Sequence, residues 1–373
     1  MIDSAKIQRA GALLAVGLRG AVPGDDHLEA DLDVCAEAGV GGVILFDVDV
    51  AAFRRAVAAG TPADEACWRA ERNVRSPGQL KTLVRYLRSR LGDDLVVMID
   101  QEGGAVARLR AERGFAGTLV SAQEFGRLSG PAQQDAARQQ AVALADLGID
   151  VNLAPVVDLE RRPEARIAVQ QRSFGDDVRR ITACAQTVIG AHARAGVASC
   201  LKHFPGLGSV VADTHDDVLP VLRDGFDRAL ELAPYRELIQ GPRPPEMVMA
   251  AHVIWAEVDA TRPVSRSRAA LTDVLRAELG FEGVIATDSL DMGAALAGGA
   301  GVEEVAIESL AAGADLLLHA VNLSDEAFAH GHPALALATA VAEAVDGGVL
   351  DGGWSELEQR TARVRALRHQ TKR

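Results

Sequence analysis

The chain has 373 residues, 48% of them hydrophobic, and a formal net charge of −13 at neutral pH. Aromatic residues make up only 4%, too few for a base-stacking platform, and the negative balance argues against a nucleic-acid or anionic-membrane partner. The composition fits a soluble enzyme acting on a small or neutral substrate, and the length suits two ordinary domains or one large α/β barrel.

Met1-Ile-Asp-Ser-Ala-Lys-Ile-Gln-Arg lacks a signal-peptide layout, and the apolar run Ala10–Val16 leads into Gly17-Leu-Arg-Gly instead of a small-residue cleavage site. No apolar run approaches the ~20 residues that span a bilayer. A cytoplasmic location is the expectation. The four cysteines, Cys35, Cys67, Cys184 and Cys200, are scattered without a CxxC pair, so buried thiols are expected and not a metal site or disulfide framework.

Apolar, β-rich runs recur along the chain: Ala12–Leu18, Gly42–Phe46, Leu95–Ile99, Ile149–Leu153, Val197–Leu201, Met247–Ala251, Val284–Thr287 and Asp315–Leu318. Most are continuous and not alternating, as in strands buried on both faces of a parallel sheet. Segments of helical period lie between them, among them Gln79–Leu91, Ala132–Leu147 and Val178–Ala195. Eight βα repeats predict an α/β fold, a single (β/α)8 TIM-type barrel over residues 1–373 with some irregular strands; a doubly wound sheet is the competing arrangement. Two segments stand outside the rhythm. Asp47–Arg75 is a polar excursion after the second strand with a short helix expected around Asp64–Arg72, and it reads equally as a lid or as a solvated loop. Gly353–Arg373 reads as a surface helix without chemistry.

Polar residues close the runs at the same end of each repeat. Asp100 ends the third, Asn152 and Asp158 flank the end of the fourth, Lys202 and His203 end the fifth, His252 the sixth and Asp288 the seventh. In a parallel barrel these ends share one face, where active sites are built. Asn152 and Asp158 read first as loop anchors, and His252 stands evenly between structural support and site. Leu201-Lys-His-Phe-Pro-Gly-Leu-Gly-Ser-Val-Val-Ala-Asp-Thr-His215 carries the densest chemistry: a cation and an imidazole, a turn through Pro205, Gly206 and Gly208, then Asp213 and His215 two residues apart. The two glycines are expected to let this loop swing. A metal site from His203, Asp213, His215 and Asp217 is chemically conceivable, but no helical His pair fixes its geometry, and no metal or cofactor is expected.

Six motifs together carry a family resemblance: Val97-Met-Ile-Asp-Gln-Glu-Gly-Gly104, Gly148-Ile-Asp-Val-Asn-Leu-Ala-Pro-Val-Val-Asp158, Gln171-Arg-Ser-Phe-Gly175, Lys202-His-Phe-Pro-Gly206, Asp213-Thr-His215 and Leu279-Gly-Phe-Glu-Gly-Val-Ile-Ala-Thr-Asp-Ser-Leu290. In order, and over nearly the whole chain, they resemble the single-domain β-N-acetylglucosaminidases of glycoside hydrolase family 3, the type that trims N-acetylglucosamine from peptidoglycan fragments. The resemblance implies a retaining β-N-acetylhexosaminidase with a carbohydrate substrate. It assigns Asp288 as nucleophile, His215 as acid/base and Asp213 as the carboxylate orienting it, with Asp100, Arg108, Arg172, Lys202 and His203 holding the sugar. The chain departs from the family pattern at Ala105, where Arg is usual, and at Leu207, where His is usual, with Ser209 beyond it. The alternatives are phosphorolysis, a β-glucosidase of the same family, and a non-catalytic sugar-binding relative.

Overall fold

The computed structural model describes residues 2–117, 119–211, 219–222, 226–323, 328 and 331–368. All eight expected strands are present: β1 (Leu14–Gly17), β2 (Gly42–Leu45), β3 (Val96–Ile99), β4 (Val151–Asn152), β5 (Ala198–Phe204), β6 (Met247–Ala250), β7 (Val284–Thr287) and β8 (Leu317–His319). They form one parallel sheet in the order β7-β6-β5-β4-β3-β2-β1-β8. The two ends meet through a parallel bridge between Ala286 and Leu316, and Leu290 N–H donates to Leu318 O at 2.8 Å. The sheet is thus a nearly closed eight-stranded barrel, and the doubly wound alternative is excluded by that seam.

Buried Leu, Val, Ile and Met fill both the barrel and the shell between barrel and helices, which explains why the strands read as continuous apolar runs. The helix Val178–Ala195 shows how the shell is made. Asp177 caps its start by accepting from Arg179 N–H, Ile181, Cys184, Ala185, Val188 and Ile189 face inward, and Gly196 ends it in a left-handed conformation at φ +79°. Its bounds match the helical period. Strand β4 is shorter than its apolar run because side chains replace part of its ladder: Asn152 Oδ1 accepts from Gln101 N–H at 2.9 Å and its Nδ2 donates to Gln101 O at 3.0 Å.

At the N-terminal ends of the strands, acidic side chains accept main-chain N–H groups of the preceding strand. Asp150 accepts from Val97 at 2.8 Å, Glu246 from Ser199 at 2.9 Å and Asp315 from Ile285 at 2.8 Å. Asp315 also pairs with Arg276 and with Arg363 of the helix Gly353–Ala366. That helix is more than a surface addition. Leu357 and Val364 are buried, and Arg360 donates to Leu310 O and Ala314 O at 2.7 and 2.8 Å.

The excursion after β2 contains two helices, Val50–Ala58 and Ala63–Arg69. The first was not legible as a helix because its Ala- and Arg-rich sequence has no residue to bury; its signal is Asp49, which accepts from Ala52 N–H at 2.8 Å. The ends of the excursion are clasped, with Arg72 N–H on Asp47 O at 3.1 Å and Asn73 N–H on Phe46 O at 2.8 Å. Among the described residues, no helix is long and apolar enough to cross a membrane.

Asp315 sits at the weakest seam of the barrel and neutralises two arginines. Asp315→Ala removes the acceptor of the Ile285 N–H and a carboxylate partner of each arginine and is expected to cost roughly 3–5 kcal/mol, read as a lowered urea midpoint in equilibrium unfolding.

Candidate active site

At the C-terminal ends of the strands lies a cavity of about 230 Å³. Its lining includes Asp100, Arg108, Arg172, Lys202, His203 and Asp288, so six of the eight expected site residues converge. The other two, Asp213 and His215, lie outside the described residues, as does Asp217 of the metal alternative.

The polar end of the cavity is a buried lattice of alternating charge. Lys202 Nζ meets Asp100 Oδ1 at 2.7 Å and Glu102 Oε1 at 2.6 Å. Arg172 forks onto Glu102 at 2.7 and 2.8 Å, and Arg108 lies 3.4 Å from Asp100. Burial by itself would raise both carboxyls, but Lys202 and Arg108 hold Asp100 below the ordinary range, and Arg172 and Lys202 hold Glu102 far below it. The same carboxylates overcome burial at Lys202 and raise it, so the amine stays charged.

Glu102 was not singled out from the sequence, although it stands in the quoted motif. The signal was its spacing: Gln101–Gly103 is extended and pairs with Val106–Ala107 in a hairpin, so residues 100 and 102 point to the same side. Gln101, pointing the other way, accepts from Arg108 and Leu109 N–H, both at 2.8 Å, and so sets the return strand that carries Arg108. Ala105 occupies the exposed hairpin turn, away from the lattice.

Consecutive residues Lys202 and His203 both line the cavity, where the register of β5 with β6 shifts between Leu201 and Phe204; the Lys202–His203 and Phe204–Pro205 bonds are cis. Asp158 fixes His203. One carboxylate oxygen lies 2.8 Å from His203 Nδ1, and the other accepts from the N–H groups of His203 and Leu207 at 3.1 and 3.0 Å. Arg172 Nη2 lies 3.3 Å from Nε2, so both ring nitrogens are engaged. Asn152 and Asp158 are therefore loop anchors, and His252 is structural support: its Nδ1 lies 2.8 Å from Ser265 Oγ and its Nε2 3.0 Å from Ser289 O.

The glycines after Phe204 are packed closely over the stretch described. Gly206 has φ +143°, and a Cβ there would lie 2.7 Å from Glu231 Oε2; at Gly208 it would lie 1.4 Å from Leu159 O. Gly208 O accepts from Arg161 and Arg162 N–H. Both glycines are needed for close approach, and the turn from 205 to 208 is buried. Leu207 and Val210 line the cavity.

Asp288 follows β7. Its N–H donates to Ala250 O at 2.9 Å, and its Oδ1 accepts from Ser289 N–H at 2.8 Å. The next helix, Gly293–Leu296, has Met292 at its cap, so Asp288 caps no helix and its carboxylate faces the cavity. Asp291 and Asn322 also line it and were not anticipated. From the excursion after β2, only Val50 reaches the cavity; its two helices form no lid over it.

A model of the family described as Glycosyl hydrolase family 3 N terminal domain matches residues 21–367. A beta-hexosaminidase of Thiobacillus denitrificans is 34% identical over 342 residues, 84% of this chain and 86% of that protein. A beta-hexosaminidase of Haemophilus influenzae is 38% identical over 258 residues, 66% of this chain and 70% of that protein. Among solved structures, a family 3 beta-N-acetylglucosaminidase from Paenibacillus sp. superposes with a TM-score of 0.78 at 30% identity, covering 98% of this chain; the chain spans 62% of that protein's length. A beta-N-acetylhexosaminidase from Beutenbergia cavernae gives 0.76 at 26% identity, covering 98% of this chain and 99% of its own.

Glu231, beneath Gly206, is 1% exposed, and neither of its oxygens has a hydrogen-bond partner among the described residues. Burial, with the Asp158 charge beside it, pushes its carboxyl up to about 8. The native state therefore keeps a proton that the unfolded chain releases near its ordinary value of 4.5, and stability falls as pH rises between those two values. Glu231→Gln removes this dependence. Its thermal midpoint is expected to match wild type near pH 5 and to exceed it at pH 8, by roughly 2–4 kcal/mol in stability; equal midpoints at both pH values would contradict a protonated Glu231.

Proposed function

The chain belongs to glycosyl hydrolase family 3 and is a glycosidase, and from that premise we propose that it releases terminal β-linked N-acetylglucosamine with retention of configuration. The observation that carries the reading is Asp288 facing a single cavity across from the Asp100–Lys202–Glu102–Arg172 lattice. The cavity is smaller than the roughly 300–1,000 Å³ usual for drug-sized ligands, a size in keeping with one sugar residue. It also joins two chemistries. The lattice offers donors and acceptors to ring hydroxyls, while Ile44, Phe46, Leu153, Met249 and Leu318 offer apolar surface to an acetamido methyl group. Beta-hexosaminidases among the relatives agree with that substrate class.

Asp288 attacks the anomeric carbon as the bond to the leaving oxygen breaks, and His215 gives its proton to that oxygen. A glycosyl–Asp288 ester remains. Water then attacks the same carbon, gives a proton back to His215 and releases the sugar and the Asp288 carboxylate. Asp213 orients His215 and stabilises the imidazolium. Histidine suits this double duty because it titrates near neutral pH without burial or a like charge to tune it. Lys202, Asp100 and Arg108 orient the ring, and His203, held in place between Asp158 and Arg172, adds a further contact. Peptidoglycan fragments are the substrates the family resemblance favours.

Asp288→Asn and His215→Ala are each expected to lower turnover of an aryl β-N-acetylglucosaminide by about 100-fold or more, with free N-acetylglucosamine and no sugar 1-phosphate formed in phosphate buffer. Wild-type turnover by both variants would refute the assignment, and sugar 1-phosphate as the main product would make the enzyme a phosphorylase.

A further inference from the structure

We propose that Arg72, far from the cavity lining in sequence and itself buried, is a positioning residue for Asp288, acting through Asn322, Asp291 and Ser289. The inference rests on Asp288 as nucleophile. Arg72 is 2% exposed and stands where the excursion after β2 rejoins the barrel. Its guanidinium joins two separate pieces of the fold, the chain after β1 and the turn after β8. Nε donates to Leu18 O after β1 at 2.8 Å, Nη2 to Val321 O at 2.8 Å and to Ala320 O at 3.5 Å, and Nη1 to Asn322 Oδ1.

The turn it grips is an unfavourable one. Val321 has φ +48°, a left-handed conformation that a β-branched residue avoids. Observed strain of this kind persists where surrounding contacts over-determine it, and it is often found at working sites. Arg72 supplies those contacts from one side. Gly17 supplies room from another, since a Cβ there would lie 1.8 Å from Ala320 O.

The strained turn puts three groups to use. Asn322 Oδ1 accepts from Val50 N–H at 3.1 Å as well as from Arg72, and its Nδ2 donates to Val48 O at 3.2 Å. Its own N–H donates to Asp291 Oδ2 at 3.1 Å. Asp291 Oδ1 accepts the Ser289 hydroxyl, and Ser289 Oγ in turn accepts from Ala320 N–H at 2.8 Å. Ser289 N–H is the donor to Asp288 Oδ1. The residue after the nucleophile is therefore clamped from β8 through its hydroxyl and from β6 through its carbonyl, which His252 holds. With Ser289 fixed, the direction of its N–H is fixed, and with it the rotation of the Asp288 carboxylate. Lysine, a point charge without the planar fork, cannot serve three acceptors in these directions.

A misdirected carboxylate lowers the rate of attack without altering how the sugar is held, and a displacement near 1 Å can cost about 100-fold. Arg72→Met is therefore expected to lower kcat on an aryl β-N-acetylglucosaminide at least about ten-fold, while calorimetric titration with N-acetylglucosamine keeps the wild-type stoichiometry and an affinity within about three-fold. Arg72→Lys should fail to restore kcat. Asp291→Asn should lower kcat likewise, and the double variant should be no slower than the slower single, because both substitutions cut one chain of contacts. Should Arg72→Met not fold, Asn322→Ala takes its place in the same cycle. Unchanged kcat, losses that multiply in the double variant, or a binding stoichiometry that falls in step with kcat would each overturn the proposal, the last by showing a merely structural role. Failure of the underlying reading is separate: it appears as wild-type turnover by Asp288→Asn.

Discussion

The polar end of the cavity is arranged around one buried cation with two carboxylates, Lys202 between Asp100 and Glu102. Taking such charges out of water costs several kcal/mol per ion, and mutual attraction offsets that only when the geometry is good and the remaining donors and acceptors are met. The lattice meets those terms by extension. Glu102 receives the Arg172 fork, Arg172 reaches His203, and Asp158 holds His203 and the N–H of Leu207. Residues from the loops after β3, β4 and β5 are thereby locked together by ionic contacts that no single one of those loops could support. The donors and acceptors along the cavity are thereby oriented in advance.

The two ends of the barrel use carboxylates for different ends. At the N-terminal ends Asp150, Glu246 and Asp315 stand in for main-chain acceptors of the neighbouring strand, and arginines from the outer helices cover Asp150 and Asp315. Those contacts close the barrel. At the C-terminal ends the acids are turned into the cavity, where Asp100, Glu102, Asp288 and Asp291 face Lys202 and the arginines. A parallel sheet makes this division available because every strand end of one kind lies on one face. Stability and chemistry are thus served by the same residue types at opposite ends of the same strands.

That division also explains what the sequence made legible. Strand runs were readable because the barrel buries both faces, and Asp100, Lys202, His203 and Asp288 were readable because each follows such a run. Arg108 and Arg172 rested on the family motifs alone. Contacts that depend on the third dimension were hidden: Glu102 stands three residues past the end of β3, Asp291 four past β7, and Arg72 at the foot of an excursion whose helices bury almost nothing. The close approaches at Gly206 and Gly208 were hidden for a related reason. Glycine permits freedom and close approach alike, and only the position of Glu231 and Leu159 O shows that close approach is used here. The C-terminal helix was taken for surface because Leu357 and Val364 are sparse in a charged sequence, while its arginines do the anchoring.

The departure at Leu207 gains a definite meaning from this framework. The main chain at 207 is set by Asp158 on its N–H and by the contact of Gly208 with Leu159 and the N–H groups of Arg161 and Arg162. None of these involves the side chain, so leucine in place of the family's histidine leaves the course of the turn unchanged. What changes is the surface shown to the cavity, where Leu207 and Val210 stand with Ile167 as an apolar stretch. In the sequence the turn leads on toward Asp213 and His215, to which the proposed mechanism gives the proton on the leaving oxygen. On that proposal variation at 207 acts nearer the departing group, while the Lys202 lattice and the contacts of Asp288 with Ser289 are built from other loops.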